Sequence, residues 1–197
     1  MSCRIEARNC SGEPNIAGEL ERGYIAIDLE TTGFSPQNDR IIEFSAVYYV
    51  NGRDVDRFTT LIRPDRTLSS ATTAINGITD EMLHDAPNEE EAVWDIVEYI
   101  RLALTGETLI CAHNARFDIE FLSEVFRKYS IPADMRYVDT LGMSRKWFRG
   151  LKSYRLGSVA DYLGISRETE HRAEEDAVVC GEICRALYEQ AKCAEKG

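Results

Sequence analysis

Five side chains in this sequence combine into one chemistry: the carboxylates of Asp28, Glu30, Asp118 and Asp176 could hold two divalent cations, and His171 could take a proton from water. Such a set suits hydrolysis of a phosphodiester and suggests a nuclease. Asp28 and Glu30 lie in Tyr24-Ile25-Ala26-Ile27-Asp28-Leu29-Glu30, an apolar run of strand type. The period of two along a strand puts both carboxylates on one face. Two anions so close repel unless a cation sits between them.

Alone, an Asp-x-Glu has a plainer reading, since alternating acids on the wet face of a strand commonly only aid solubility. The residues that follow change its weight. Thr31-Thr32-Gly33 and then Ser35-Pro36-Gln37-Asn38-Asp39 are turn formers, so the pair sits where a strand gives way to a loop. Sites in α/β folds gather at such strand ends.

Two further segments repeat that placement. The apolar Leu109-Ile110-Cys111-Ala112 leads into His113-Asn114-Ala115-Arg116-Phe117-Asp118 and a helical pattern of Phe117, Phe121, Leu122, Val125 and Phe126. Asn114 is the candidate N-cap, and Asp118 falls in the first turn, where it either faces a metal or merely complements the helix dipole. His171-Arg172-Ala173-Glu174-Glu175-Asp176 opens the last helical run, with His171 at or before its start and Asp176 one turn in. A lone histidine there is commonly an exposed polar residue. Three coincident segments at matching element ends favour the catalytic reading.

These residues make the chain resemble the DEDDh group of 3′→5′ exonucleases, which includes the proofreading epsilon subunit of bacterial DNA polymerase and ribonuclease T. The resemblance rests on Asp28-Leu29-Glu30-Thr31-Thr32-Gly33, on His113 to Asp118, and on His171 separated by four residues from Asp176, and it covers about residues 22 to 190. Ile75-Asn76-Gly77-Ile78-Thr79, Val138-Asp139-Thr140-Leu141 and Leu156-Gly157-Ser158-Val159-Ala160 are weaker family features in the same order. Many family members have His-Gly-Ile where this chain has Asn76-Gly77-Ile78. That departure leaves the metal chemistry intact and bears on contacts to the substrate's 3′ end. The resemblance implies a ribonuclease H-like fold, with Phe34 stacked or wedged at the terminal base. It also implies a substrate-binding set of Thr31, Thr32, Gly33, Phe34, Ile78, His113, Asn114 and Phe117.

In-line attack on a phosphodiester needs an activated water on one side and a stabilised leaving oxygen on the other. Two cations roughly 3.5–4 Å apart serve both ends. Oxygen-rich ligation suits Mg²⁺ or Mn²⁺ rather than zinc. The expected division has Asp28 bridging, Glu30 and Asp176 completing the nucleophile-side metal, and Asp118 supporting the other through water. His171 is the expected general base, because an imidazole of pKa near ~6.5 can be neutral at working pH.

The elements that must position these groups read as one compact α/β domain. Strands are expected at about 23–29, 40–50, 54–63 and 108–112, with a short last one from Arg136 to Asp139. Asn51-Gly52 is a hairpin signal, making the first three strands antiparallel. Asn88 and Glu91 form a capping pair for a helix leading back to the strand at 108–112, with Trp94 expected as packing. The expectation is a mixed five-stranded sheet flanked by helices on both faces. Residues 1–21 read as a polar leader, mobile or loosely packed, residues 22–192 as the domain, and 193–197 as a tail.

The 197 residues, 44% apolar and 29% charged, suffice for a single sizeable core. No run of about 18 apolar residues and no signal-peptide pattern appears, so a cytoplasmic protein that does not engage a membrane is expected. Cys3, Cys10, Cys111, Cys180, Cys184 and Cys193 show neither Cys-x-x-Cys nor zinc-finger spacing, and free thiols fit a reducing compartment.

A net charge of −11 is opposite to the usual nucleic-acid binder. An exonuclease holding a few nucleotides at its metals can nevertheless lack a long basic footprint. Against that background residues 145–155 carry Arg145, Lys146, Arg149, Lys152 and Arg155 and no acid. Two readings stay open: a strand-binding segment using Arg149 and Lys152, or a solvated helix end whose Trp147 and Phe148 pack inward. The favoured function is 3′→5′ exonuclease action on single-stranded DNA or RNA, releasing nucleoside 5′-monophosphates, with a polymerase or repair protein as a possible partner. A non-catalytic nucleic-acid or polymerase-associated module is the main alternative, and a metal-dependent phosphatase or another ribonuclease H-like enzyme is a third.

Overall fold

A computed structural model describes residues 4–166 and 172–195. It contains a mixed sheet of six strands, β1 (Ile5–Asn9), β2 (Tyr24–Thr31), β3 (Ile41–Val50), β4 (Arg53–Leu61), β5 (Leu109–Ala112) and β6 (Ala133–Asp139), in the order β1-β6-β5-β2-β3-β4. Strands β2, β3 and β4 are antiparallel neighbours, while β5, β6 and β1 add in parallel. Asn51 and Gly52 turn the β3–β4 hairpin with φ of 51° and 71°, the left-handed pair that a tight two-residue turn requires.

Alternation along β2 divides the interior. Ile25, Ile27 and Leu29 join a core with α4 (Glu89–Tyr99), α5 (Arg101–Leu104) and α6 (Arg116–Lys128). Tyr24 and Ala26 join the opposite core with α1 (Ile16–Arg22), α7 (Thr140–Trp147), α8 (Leu156–Leu163) and α9 (Ala173–Glu195). By the same period Asp28 and Glu30 face the α9 side. The short helices α2 (Ser70–Asn76) and α3 (Asp80–Leu83) lie between β4 and α4 in the chain.

Helix α9 lies on β2, β3 and β5. Tyr24 and Tyr49, cross-strand partners, stack with ring centroids 4.9 Å apart. Their hydroxyls donate to the carbonyls of Gly181 (2.8 Å) and Val178 (3.1 Å), anchoring the helix that carries Asp176.

The sheet has six strands where five are expected, because residues 5–9 of the supposed leader pair with β6, from Ile5 opposite Ala133 to Asn9 opposite Tyr137. Only Ile5 of that strand is even partly buried, so no alternating apolar pattern marks it, and backbone hydrogen bonds carry the pairing. Residues 10–20 of the leader also pack: Cys10, Ile16, Ala17 and Leu20 are buried, and α1 rests on α9.

Asn88 and Glu91 form the expected reciprocal capping box. The helix it opens breaks at Ile100, with no glycine or proline to signal the break. Trp94 does not pack as expected and is 54% exposed. Among the described residues no helix is long and apolar enough to cross a membrane.

Candidate active site

The site forms where β2 and β5 end and α6 and α9 begin. Asp28 and Glu30 come from β2, and Asp176 from the first turn of α9. Each of the three offers a carboxylate oxygen within 4.8 Å of the others, the arrangement of a cation site. A register shift between Glu30 and Thr31 marks a bulge just beyond the pair, a device that re-aims side chains at the end of a strand. Asp118, in the first turn of α6, is almost wholly buried and is the fourth acid.

Electrostatics show what this proximity costs without a counterion. Burial first, then the charges of Asp118, Asp176 and Glu30, hold the Asp28 carboxyl well above the usual carboxylate range. Burial together with Asp176 and Glu43 pushes Glu30 up to about 7, although Asn76 and Arg172 pull it back. Burial pushes Asp118 up to about 8, against the opposing pull of backbone hydrogen bonds that include the N–H of Leu29. A divalent cation would relieve all three, because it supplies the charge that desolvation removes.

Helix α6 is not capped at its start by a side chain of its own. Asn114, the expected N-cap, is exposed with φ of 66° and takes no such role. The cap of α6 comes from β6: Asp139 Oδ1 accepts the backbone N–H groups of Asn114 (2.9 Å) and Ala115 (3.3 Å). At α9, Glu43 of β3 accepts the N–H of Ala173 at 3.1 Å. Sequence reading missed Asp139 and Glu43 in these roles, since a cap supplied from a distant strand has no local spacing.

Beside the acids lies a cleft of about 320 Å³ whose lining includes Glu30, Gly33, Phe34, Ile75, Asn76 and Phe117. Phe34 is 85% exposed and meets Phe117 edge-on at 6.4 Å, so an unsatisfied aromatic face stands at the opening. Thr31 and Thr32 shape the loop by donating to the carbonyl of Gly33 and to Asp39. Gly33 is required by close approach: a Cβ there would lie 2.5 Å from the Asp39 carboxylate.

Other expected site residues stand elsewhere or act indirectly. Ile78 is fully buried with Ile42 and Leu83, and Ile75, three residues earlier, is the exposed apolar side chain of that segment. Asn76, where the family pattern often has histidine, is buried; its amide side chain reaches Glu30 and also accepts the N–H of Ile78. Both ring nitrogens of His113 are already engaged: Nε2 donates to the carbonyl of Tyr154 and Nδ1 pairs with the Thr140 hydroxyl. Burial lowers the pKa of His113, which fits a neutral ring tying Tyr154 to the end of β5. His171 lies outside the described residues.

The two readings of residues 145–155 prove compatible. Phe148 is buried and Trp147 packs against the α9-side core, while Arg145, Lys146, Arg149, Lys152 and Arg155 are exposed. Among the described residues none of the five pairs with a carboxylate.

The mixed sheet layered by helices is a ribonuclease H-like fold, and an acidic cluster lies at its strand ends. Residues 25–184 match the family model described as Exonuclease, and the chain belongs to that exonuclease family. Its relatives include the DNA polymerase III subunit epsilon of Treponema pallidum, 40% identical over 163 residues that cover 81% of this chain and 74% of that protein. The PolC-type DNA polymerase III of Caldanaerobacter subterraneus is 36% identical over 183 residues, covering 91% of this chain. The chain spans only 13% of that PolC-type relative.

Among solved structures, E. coli Exonuclease I in complex with a dT13 oligonucleotide shares the fold with a TM-score of 0.75, covering 88% of this chain and 42% of its own, at 20% identity. Exonuclease X in complex with 5′ overhanging duplex DNA gives 0.66, covering 86% and 93%, at 24% identity.

Proposed function

We propose that this chain is a metal-dependent 3′→5′ exonuclease of DEDDh type, releasing nucleoside 5′-monophosphates from single-stranded DNA ends. The observation that carries the reading is the convergence of Asp28, Glu30 and Asp176 within 4.8 Å beside a cleft edged by exposed aromatic and aliphatic side chains. DNA is favoured over RNA because the epsilon and PolC-type relatives are DNA polymerase proteins. For the same reason a polymerase is the proposed partner.

The donor set fits the cofactor. Four carboxylates without thiolate or imidazole suit a hard cation, Mg²⁺ or Mn²⁺. Asp28, Glu30 and Asp176 would hold one ion, and Asp28 with Asp118 a second. Bound there, the ions would acidify a water and stabilise the departing oxygen. Asn76 keeps Glu30 aimed into the cluster. Phe34 and Ile75 give the terminal base an apolar seat that tolerates any sequence. Arg149 and Lys152 bind phosphates farther along the strand. His171 accepts the water proton as general base, a role that its imidazole and its separation by four residues from Asp176 suggest.

A purely binding module is the weaker reading. Three acids within 4.8 Å of one another offer a phosphate backbone no attraction until a cation joins them, and a pure binder would gain by losing them.

The reading is tested by digesting a 5′-labelled single-stranded DNA and a matched RNA with Mg²⁺ or Mn²⁺. A ladder shortening from the 3′ end, with mononucleotide 5′-phosphates as product and DNA preferred, is the expected result. Intact strands with folded, metal-loaded protein would put the binding module in its place.

A further inference from the structure

Glu43 is a fully buried carboxylate that the chemistry above does not use. It stands on β3 directly opposite Glu30 of β2, so two acids share one cross-strand position, an arrangement that is unfavourable by itself. Its oxygens are taken up by the start of α9: Arg172 Nη2 donates at 2.8 Å and the backbone N–H of Ala173 at 3.1 Å. Ala173 is the first residue of α9, whose leading N–H groups have no partners within the helix and whose dipole favours an anion. Three residues later the same helix presents Asp176.

Stability alone is a poor reason for such a pair. Glu43 is buried but Arg172 is 44% exposed, so solvent screens their attraction, and the pair also sets Glu43 against Glu30. What apolar residues could not do is fix the rotation and height of the helix end, since hydrogen bonds are directional and packing is not.

We propose that Glu43 is a positioning residue: by gripping Arg172 and Ala173 it sets the start of α9 so that Asp176 meets Asp28 and Glu30 within cation-binding distance. The same grip fixes the chain at Arg172, the residue next to His171. The role rests on the exonuclease reading, because it serves the proposed metal centre.

The test is Mn²⁺ titration by calorimetry, beside kcat and KM on single-stranded DNA, each well below the variant's melting temperature. Glu43→Gln keeps the shape and an acceptor for Ala173 but loses the charge that holds Arg172. Glu43→Leu with Arg172→Leu removes the pair without leaving a lone buried charge. Both are expected to bind Mn²⁺ about 10–100-fold more weakly, as when partners of metal ligands are lost, with kcat reduced and KM nearly unchanged. Wild-type Mn²⁺ affinity and kcat in the double variant would make the pair merely structural and overturn the proposal. Asp28→Ala in the same titration separates the two readings. If it binds Mn²⁺ as the wild type does, the metal centre itself is wrong; if it does not, a failure of the Glu43 variants to respond overturns only the positioning role.

Discussion

Asp139 Oδ1, at the end of β6, accepts the backbone N–H of Asn114 at 2.9 Å, joining one strand end to the helix that carries Asp118. The same oxygen accepts the N–H of Leu141 at 3.1 Å and so caps α7 as well. Asp139→Ala leaves several N–H groups unpaired at two helix starts, and the expected loss is about 1–3 kcal/mol of unfolding free energy. Asp139→Asn retains an acceptor and should lose less. Urea denaturation of the three proteins measures both; equal stability of the alanine variant would remove Asp139 from this role.

Gly181 offers a test in which two effects oppose. Glycine to alanine inside an exposed helix ordinarily gains about 1 kcal/mol. A Cβ at Gly181 would lie 2.1 Å from the Tyr49 ring, which itself is locked against Tyr24. Overpacking of this kind costs about 1–3 kcal/mol or more, so Gly181→Ala should lower the melting temperature and, by lifting α9, weaken Mn²⁺ binding too. A higher melting temperature would show that α9 does not sit so close to the sheet.

Phe34 is exposed enough that its removal should cost no stability. Base stacking on an aromatic contributes about 1–3 kcal/mol, so Phe34→Ala should raise KM for single-stranded DNA by about 5- to 100-fold with melting unchanged. An unchanged KM would mean that the terminal base lies elsewhere.

The acidic cluster makes metal dependence and pH dependence one measurement. Glu30 is pushed up to about 7 from 4.5, and Asp118 to about 8 from 3.8. As pH rises above about 4, the unfolded chain releases these protons first, so through these two groups the metal-free fold loses stability up to about pH 8. A bound cation removes that penalty. Mg²⁺ should therefore raise the melting temperature, relative to EDTA, more at pH 8 than at pH 5.5. A larger gain at pH 5.5 would contradict these protonation states.

Much of this arrangement is legible in the sequence because it is local. The alternation through Asp28 and Glu30, the Asn51-Gly52 turn and the Asn88–Glu91 box each lie within a few residues, and each takes the expected form. What the sequence hides is long-range or lacks contrast. Strand β1 buries almost nothing and leaves no period, and the caps from Asp139 and Glu43 reach helices 25 and 130 residues away. Ile78, expected at the substrate, is buried on Ile42 while Ile75 of the same short segment faces water, a difference that only the packing decides.

The central claim, that these carboxylates form a cation centre for phosphodiester hydrolysis, is tested most directly by the shortening rate of 5′-labelled single-stranded DNA as Mn²⁺ is raised from zero, in wild type and in Asp28→Ala. The expected result is no shortening in EDTA, a saturable rise with Mn²⁺ in the wild type, and a rate at the blank level for Asp28→Ala at every concentration. Shortening in EDTA, or an equal rise in both proteins, would contradict it.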